Sequence, residues 1–572
     1  MLGQLRQWQP WRGVARALAC ACVGALLITW SSSAAAQDGS AEPREHSELD
    51  ATVFAPFHAA RGARATQARS AQSRTFIVRL MYPDAGRAHA VRWTLTLSGP
   101  GPQGAVLRRW SGTEQVDAGG TSIRLPWDGR ADADARERRM LAPDGLYELR
   151  LLAVADQDTA REAAVEQVWP IAVNRAGAAP PQVPAFHAGL LRLDGAAYRI
   201  VYANLHSQTR HSDGGAPLDA CHGAQEPQTA PYGPIDAYKY AQEHGLDVLL
   251  TSEHNHMYDG SDGTNSAAVP AEAAALYQTG LAEAADYTNA HPGFLALYGM
   301  EWGVINKGGH LNIFNSEQLL GWERNAQGEL LADVETPKSD YAALYALMRA
   351  RGWLGQFNHP AQTGQFLVDG QPLGYTPDGD AAMVLCEVMN TSAFSSNDQE
   401  TETRRSNYEA ACNRALAAGY HLAFSSNQDN HCANWGASYG NRTAVLVKAD
   451  AANAPLSREQ LFEALRARRV FATMDKHAQL LLTANGRMMG ERFDNQGPLQ
   501  LSASFSNDAG RQAAAITIFH GVPGGNGSVT AISDQAEVTV TPAPGPHFYY
   551  ARLVQDDGNI VWSAPLWVMQ LP

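Results

Sequence analysis

Six stretches of this chain place imidazoles and carboxylates where an extended run gives way to a polar cluster. His206 follows a run at 199–204, Glu253-His254 follow 247–252, Glu301 follows 294–300 and His359 follows 353–357. Asp429-Asn430-His431 come after 421–425, and His310 opens the run 310–314. Imidazole nitrogens and carboxylate oxygens are the ligands that Zn, Mn and Fe take. Divalent ions clustered in one place would lower the pKa of bound water and supply a metal-bound hydroxide near neutral pH. Any one of the 18 histidines is more often a surface or hydrogen-bonded residue than a ligand, so the repetition at strand ends carries the reading. His211 and His222 are left without a role; His256, two residues past His254, is placed as a supporting group or proton donor. No Gly-x-Ser-x-Gly elbow lies in this region, and a metal-bound nucleophile needs none.

Residues so placed must be brought to one side of a sheet. Between 198 and 474 the strand-like runs, with another at 383–388, alternate with helix-like stretches at 235–243, 271–289, 341–351, 403–418 and 458–468. That alternation is the pattern of an α/β layer or barrel, in which the C-terminal strand ends build the site. The flanks read differently. Residues 74–176 hold short alternating runs such as 76–80 and 92–97 between Gly/Pro clusters, which predicts a small β-sandwich. Leu125-Pro126-Trp127-Asp128-Gly129-Arg130 and Pro143-Asp144-Gly145-Leu146-Tyr147-Glu148-Leu149 resemble the immunoglobulin-like module of flagellar hook-capping proteins, which implies a structural role. Residues 177–197 open on Gly-Ala-Ala-Pro-Pro-Gln-Val-Pro and read as a linker. Residues 475–572 predict a second β-sandwich, with Asp557-Gly558 turning a hairpin between 548–554 and 560–567. Residues 37–73 lack sustained periodicity and are expected to be a flexible leader.

Arg6, Arg12 and Arg16, an apolar run at 17–30 and Ala34-Ala35-Ala36 have the order of a secretory signal peptide over 1–36. The apolar run is short of the roughly 20 residues of a spanning helix, so no transmembrane segment is expected after cleavage and the protein is read as periplasmic or secreted. Loss of the three arginines takes the formal charge from -14 to -17. Such a surface disfavours nucleic acid as a partner and leaves a small-molecule or cell-envelope ester as the expected substrate. Cys20 and Cys22 leave with the signal, and Cys221, Cys386, Cys412 and Cys432 remain. An oxidising compartment would allow two disulfides in three connectivities. For Cys386 and Cys412, in apolar strand-like and helix-like runs, two buried free thiols are at least as good a reading.

The order of the clusters resembles the polymerase and histidinol phosphatase (PHP) domain. Its first motif, Asp-Leu-His-x-His-Thr-x-x-Ser-Asp-Gly, is matched with two changes by Asn204-Leu205-His206-Ser207-Gln208-Thr209-Arg210-His211-Ser212-Asp213-Gly214. Its Thr-Asp-His motif is represented by Ser252-Glu253-His254 and its lone Glu by Gly299-Met300-Glu301. Gly309-His310-Leu311-Asn312, Asn358-His359-Pro360 and Asp429-Asn430-His431 follow in order. With the flanking sandwiches, the resemblance is to the exported branch that includes carbamate-hydrolase-like members. It implies a distorted (β/α)7 barrel flanked by two β-sandwiches. It also implies two or three divalent ions (Zn, Mn or Fe): one on His206, Glu301 and Asp429, a second bridged by Glu301 and held by His310 and His359, a third on Asp213, His254 and His431. Glu253 stands where the family has a supporting Asp. Gln208 replaces a histidine ligand and would offer an amide oxygen, which favours a harder ion such as Mn. Glu301 is the expected catalytic bridge and His256 the nearest leaving-group acid by sequence. Sharing of an ion by Asp213 and His431 would bring Cys221 and Cys432 together as a disulfide. Phosphoester hydrolysis is the first expectation; carbamate, amide or carboxylic ester hydrolysis on the same fold is the second. An inactive carbohydrate- or surface-binding protein is the third.

Overall fold

A computed structural model describes residues 49–572 apart from 60–71, 83–87, 100–103, 118, 132–140, 156–162, 174–179, 187–188, 194, 305–307, 361–364, 452–453 and 526–527. The expected signal peptide and much of the expected leader lie outside the described residues.

The alternation read near 76–80 and 92–97 becomes strands with one buried face. Arg74–Met81 alternates buried and half-buried residues, and His89–Ser98 buries Val91, Trp93, Leu95 and Leu97. One sheet orders Asp50–Phe54, Arg74–Met81 and Thr121–Trp127; the other orders Val106–Val116, His89–Ser98, Gly145–Ala155 and Ala163–Val173. Phe76, Val78 and Leu80 of the first join Trp93, Leu95 and Leu149 of the second in one buried cluster. Each such side chain contributes about 1.5–3 kcal/mol through burial. The strand Asp50–Phe54 corrects the expectation of an unstructured leader: Ala51 and Val53 are buried, and the strand pairs antiparallel with 77–81. Five residues are too few for a period of two to stand out from an Ala- and Arg-rich surrounding.

The candidate site rests on seven strands, here β1 (Ala196–Asn204), β2 (Val248–His254), β3 (Leu295–Trp302), β4 (Leu311–Ile313), β5 (Gly355–Phe357), β6 (Met383–Thr391) and β7 (Ala423–Ser426). β1, β2 and β3 run parallel, β4 is antiparallel to both neighbours, and β5, β6 and β7 are again parallel. Just past their ends, β7 and β1 meet: Asp429 N donates to His206 O at 3.0 Å and Gln208 N to Asn430 O at 2.9 Å. Helices Pro234–Glu243, Pro270–Ala290, Tyr341–Arg351, Pro377–Ala382 and Glu409–Ala418 fill every connection in this order except β3 to β4. Every residue of β2, β3 and β6 is buried, as expected for strands covered on both faces.

Two expected elements differ. The helix expected at 403–418 begins only at Glu409. Residues 405–407 pair with β6 instead, and the Asn407 side chain accepts from Glu409 N, a local bond that ends helical propagation. The strand expected at 560–567 divides into Ile560–Ser563 and Leu566–Leu571 around Pro565, which has no N–H for a ladder. The hairpin at Asp557-Gly558 forms, with Gly558 at φ 93°. Ladders also continue past position 474: Val470–Thr473 pairs with Arg442–Lys448 on one side and Ile560–Ser563 on the other. With six helices against thirty strands, the described chain is sheet-rich, built of several mixed and antiparallel sheets. Among the described residues no helix is long and apolar enough to cross a membrane.

Candidate metal centre

Strand register assembles the site. Parallel pairing of β2 with β3 sets His254 beside Glu301, and antiparallel pairing of β3 with β4 sets Glu301 opposite Asn312, two residues from His310. The contact between the ends of β1 and β7 brings His206 to Asp429. Gly215 N donates to His431 O at 2.8 Å, which draws the Asp213 turn to His431. That turn needs glycine: Gly215 has φ 84°, and a Cβ there would meet Tyr232 O at 2.2 Å.

The carboxylate of Glu301, 1% exposed, lies at the centre. Oε2 is 3.0 Å from His206 Nε2 and 3.6 Å from His254 Nδ1; Oε1 is 3.1 Å from His310 Nδ1 and 3.3 Å from His359 Nε2. Asp429 Oδ1 is 3.1 Å from His206 Nε2 and 3.7 Å from His431 Nδ1, while Oδ2 is 3.9 Å from His359 Nε2. Asp213 Oδ1 lies 3.5 Å from His431 Nε2 and 3.7 Å from His254 Nε2. Three buried groups have donor atoms close enough to share an ion: His206, Glu301 and His359; His254, Glu301 and His310; Asp213, His254 and His431. This grouping revises the partition implied by the resemblance. His359 falls in a group with His206 while its Nε2 faces the same Glu301 oxygen as His310, and His254 serves two groups. Asp429 lies between the first group and His431.

Electrostatics make this an unfinished arrangement for protein alone. Burial opposes charge on His206, but Asp429, Glu301 and Glu387 outweigh it and hold the pKa well above the ordinary 6.5. Burial likewise opposes charge on Glu301, yet His206, His310 and His254 hold it well below the carboxylate range. Opposite charges are thus drawn together in a buried site. Two candidate ligands also have left-handed backbone, His359 at φ 24° and Asp429 at φ 52°. Such strain in a non-glycine residue costs about 1–3 kcal/mol and persists where the surroundings enforce it, commonly at functional sites. Nitrogen and carboxylate donors so arranged fit a divalent transition ion.

Gln208 faces this cluster, its Nε2 donating to Glu301 Oε2 at 2.6 Å, and its buried Oε1 has no hydrogen-bond partner among the described residues. Glu253 accepts from Thr209 N at 2.9 Å and from the Thr209 and Ser212 hydroxyls at 2.7 Å each, so it holds the Asp213 turn. Burial pushes its pKa up to about 7, with those bonds and Asp213 as lesser influences. His256 stands beside the three groups and in none of them, with its ring centroid 5.9 Å from that of His254; its Nε2 is 3.5 Å from Asp262 Oδ1 and its ring stacks on Trp322. His211 bonds Tyr298 Oη at 2.8 Å, in keeping with a packing role, and His222 is exposed. Cys221 and Cys432 are joined, and so are Cys386 and Cys412, which decides between the disulfide and the free thiols left open for the latter two. Pairing of the latter depends on the approach of helix Glu409–Ala418 to β6, which local sequence does not encode.

Sequence reasoning missed the frame around the ligands. Glu387, inside the apolar run of β6, bonds His206 Nδ1 at 3.1 Å. Asn358 Nδ2 donates to Glu301 Oε1 at 2.7 Å, Asn312 Nδ2 to Leu205 O at 2.8 Å, and Asn427 Oδ1 accepts from Leu205 N at 2.8 Å. Neutral amides satisfy backbone and carboxylate without adding charge. The available signal was their placement beside His359, His310 and Asp429, together with one acid inside an otherwise apolar strand.

No protein-family model matches the chain, and no curated protein does. Solved structures that overlap with it include a Parabacteroides merdae beta-glucuronidase (8% identity, 92% of this chain and 64% of that one, TM-score 0.16). Another is an FMN-binding beta-glucuronidase from Facaelibacterium prausnitzii (11% identity, 91% and 74%, TM-score 0.15). The chain spans 64% of the length of the first. At these TM-scores the overlap carries no argument about fold or activity.

Proposed function

We propose that this chain is an exported metal-dependent hydrolase acting on phosphoesters, and that its seven-strand region is a distorted barrel of the PHP type. The observation that carries the reading is convergence: Glu301 and seven further imidazoles and carboxylates, from six motif positions between 206 and 431, come together in one cluster. Two disulfides agree with an oxidising compartment.

His206, Glu301 and His359, with Asp429 beside them, would hold one ion, and His254, Glu301 and His310 a second. Asp213 and His431 would complete a third site by sharing His254. Bound divalent ions bring the pKa of water toward neutrality and offset charge gathering on a phosphoryl group. The protein's own part is placement. Gln208 and Asn358 donate to opposite oxygens of Glu301 and fix its carboxylate. Burial excludes bulk water, and His256, beside His254, is the nearest group to serve the leaving group.

Elemental analysis of purified protein and turnover of p-nitrophenyl phosphate, bis-p-nitrophenyl phosphate and naphthyl carbamates with Mn or Zn test the reading. Two or three ions and phosphoester turnover are expected. Carbamate turnover without phosphoester turnover would replace the substrate class. Less than one ion per chain, with no uptake of Mn, Zn or Fe, would remove the hydrolase reading and favour a binding protein.

A further inference from the structure

We infer that Glu387 is a positioning residue that sets His206 and His359 to ligate the same ion; the inference rests on the reading of the site as a metal centre. Glu387 is fully buried in β6 between Cys386 and Val388. A carboxylate in such a place is costly unless its oxygens are fully engaged. Oε1 is 3.1 Å from His206 Nδ1 and accepts from Asn427 Nδ2 at 3.1 Å. Oε2 accepts from His359 N at 2.8 Å and from Asn390 Nδ2 at 3.2 Å.

These contacts act on two ligands at once. A carboxylate at Nδ1 of an imidazole keeps the proton there and leaves Nε2 with its lone pair. Nε2 is the His206 atom that faces Glu301 and Asp429. The second oxygen holds the left-handed backbone of His359, whose Nε2 also faces Glu301. The two rings stack with centroids 5.5 Å apart and planes 25° from parallel. One side chain therefore fixes the tautomer of one ligand and the main chain of the other. The Cys386–Cys412 bridge anchors β6 one residue away, so the carboxylate is presented from a fixed backbone.

The test is Glu387→Gln, which keeps the size of the side chain but removes its charge and one acceptor. The metal-free chain and the variant are titrated with Zn and with Mn against a competing chelator, and both are melted without metal. One ion should bind about 10–100-fold more weakly while the others stay within about twofold, the size of loss usual for removing an outer-sphere partner. The metal-free Tm should fall as well, because His206 loses a buried charge partner and the donors around the carboxylate lose an acceptor. Uniform weakening of every ion, or a fall in metal-free Tm with unchanged affinities, would overturn the inference and make Glu387 a structural residue. If Glu387→Gln does not fold, Asn390→Ala removes one donor to the same carboxylate and should weaken the same single ion several-fold; no selective weakening would overturn the inference. A wild-type chain that binds neither metal overturns the metal-centre reading itself, whereas a metal-binding wild type matched by its variant overturns only the role of Glu387.

Discussion

The N-terminal pair of sheets and the seven-strand region use strands to opposite ends. In the first, Phe76, Val78 and Leu80 point inward and their neighbours outward, and a buried cation finds its partners at home: Arg74 donates to Pro56 O, Phe57 O and Ala172 O. In the second, strands finish in carboxylates and imidazoles that face one another, with Glu301 against four histidines. Buried charge satisfied by carbonyls belongs to architecture. Buried carboxylates set among imidazoles have the donor set of a metal centre. The difference lies in how the charge is compensated, since Arg74 and Glu301 are both buried.

The sharpest way to break this comparison is Glu301→Gln, which removes the carboxylate shared by two groups. Affinity for two ions should fall together and kcat/KM should drop by about 10²–10³ or more; loss of only one ion on titration would show that Glu301 does not bridge. Trp93→Ala in the N-terminal sheets should cost about 3–5 kcal/mol in denaturant unfolding and leave metal stoichiometry unchanged. A change in stoichiometry would mean that the two regions are not energetically separable. Replacing Cys221 and Cys432 together by Ser should cost about 2–4 kcal/mol and weaken the ion on Asp213 and His431 selectively; equal weakening of all ions would place the disulfide's effect in the fold as a whole.

pH should separate the metal-free and loaded states. The folded pKa of His206 is raised, so its contribution to stability is complete below about 6.5 and is lost as pH rises through the folded value. The metal-free Tm should therefore decline as pH increases above that range. Metal affinity should rise instead, by up to about tenfold per pH unit for one displaced proton. Titration and melting at pH 6 and pH 8 would check both signs. The smallest effect is expected from Gln208→His, which should tighten Zn binding with little change in KM. Unchanged Zn affinity and a raised KM would move Gln208 from the metal to the substrate.

Much of the site was legible because ligand chemistry admits few residue types. His206, His254, Glu301, His359, Asp429 and His431 stand out by type and by their place after extended runs; His310 opens one, and Asp213 entered with the resemblance to the PHP motif. Alternation likewise exposed the strands near 76–80 and 92–97, where one face meets solvent. It could not expose Asp50–Phe54, which is too short, or end the helix expected at 403–418, where the Asn407 side chain and pairing with β6 prevail.

By itself the sequence determined which side chains could bind metal and roughly where strands deliver them, since both follow from residue type and local period. Only the tertiary structure decided how the ligands divide, because grouping depends on which strand ends become neighbours. It placed His359 with His206, gave His254 to two groups, joined Cys386 to Cys412 and put Glu387 behind His206. Each of these relations spans at least 26 residues of chain, beyond the reach of any local pattern. Register and packing set them, through hydrogen bonds that exist only once the strands lie side by side.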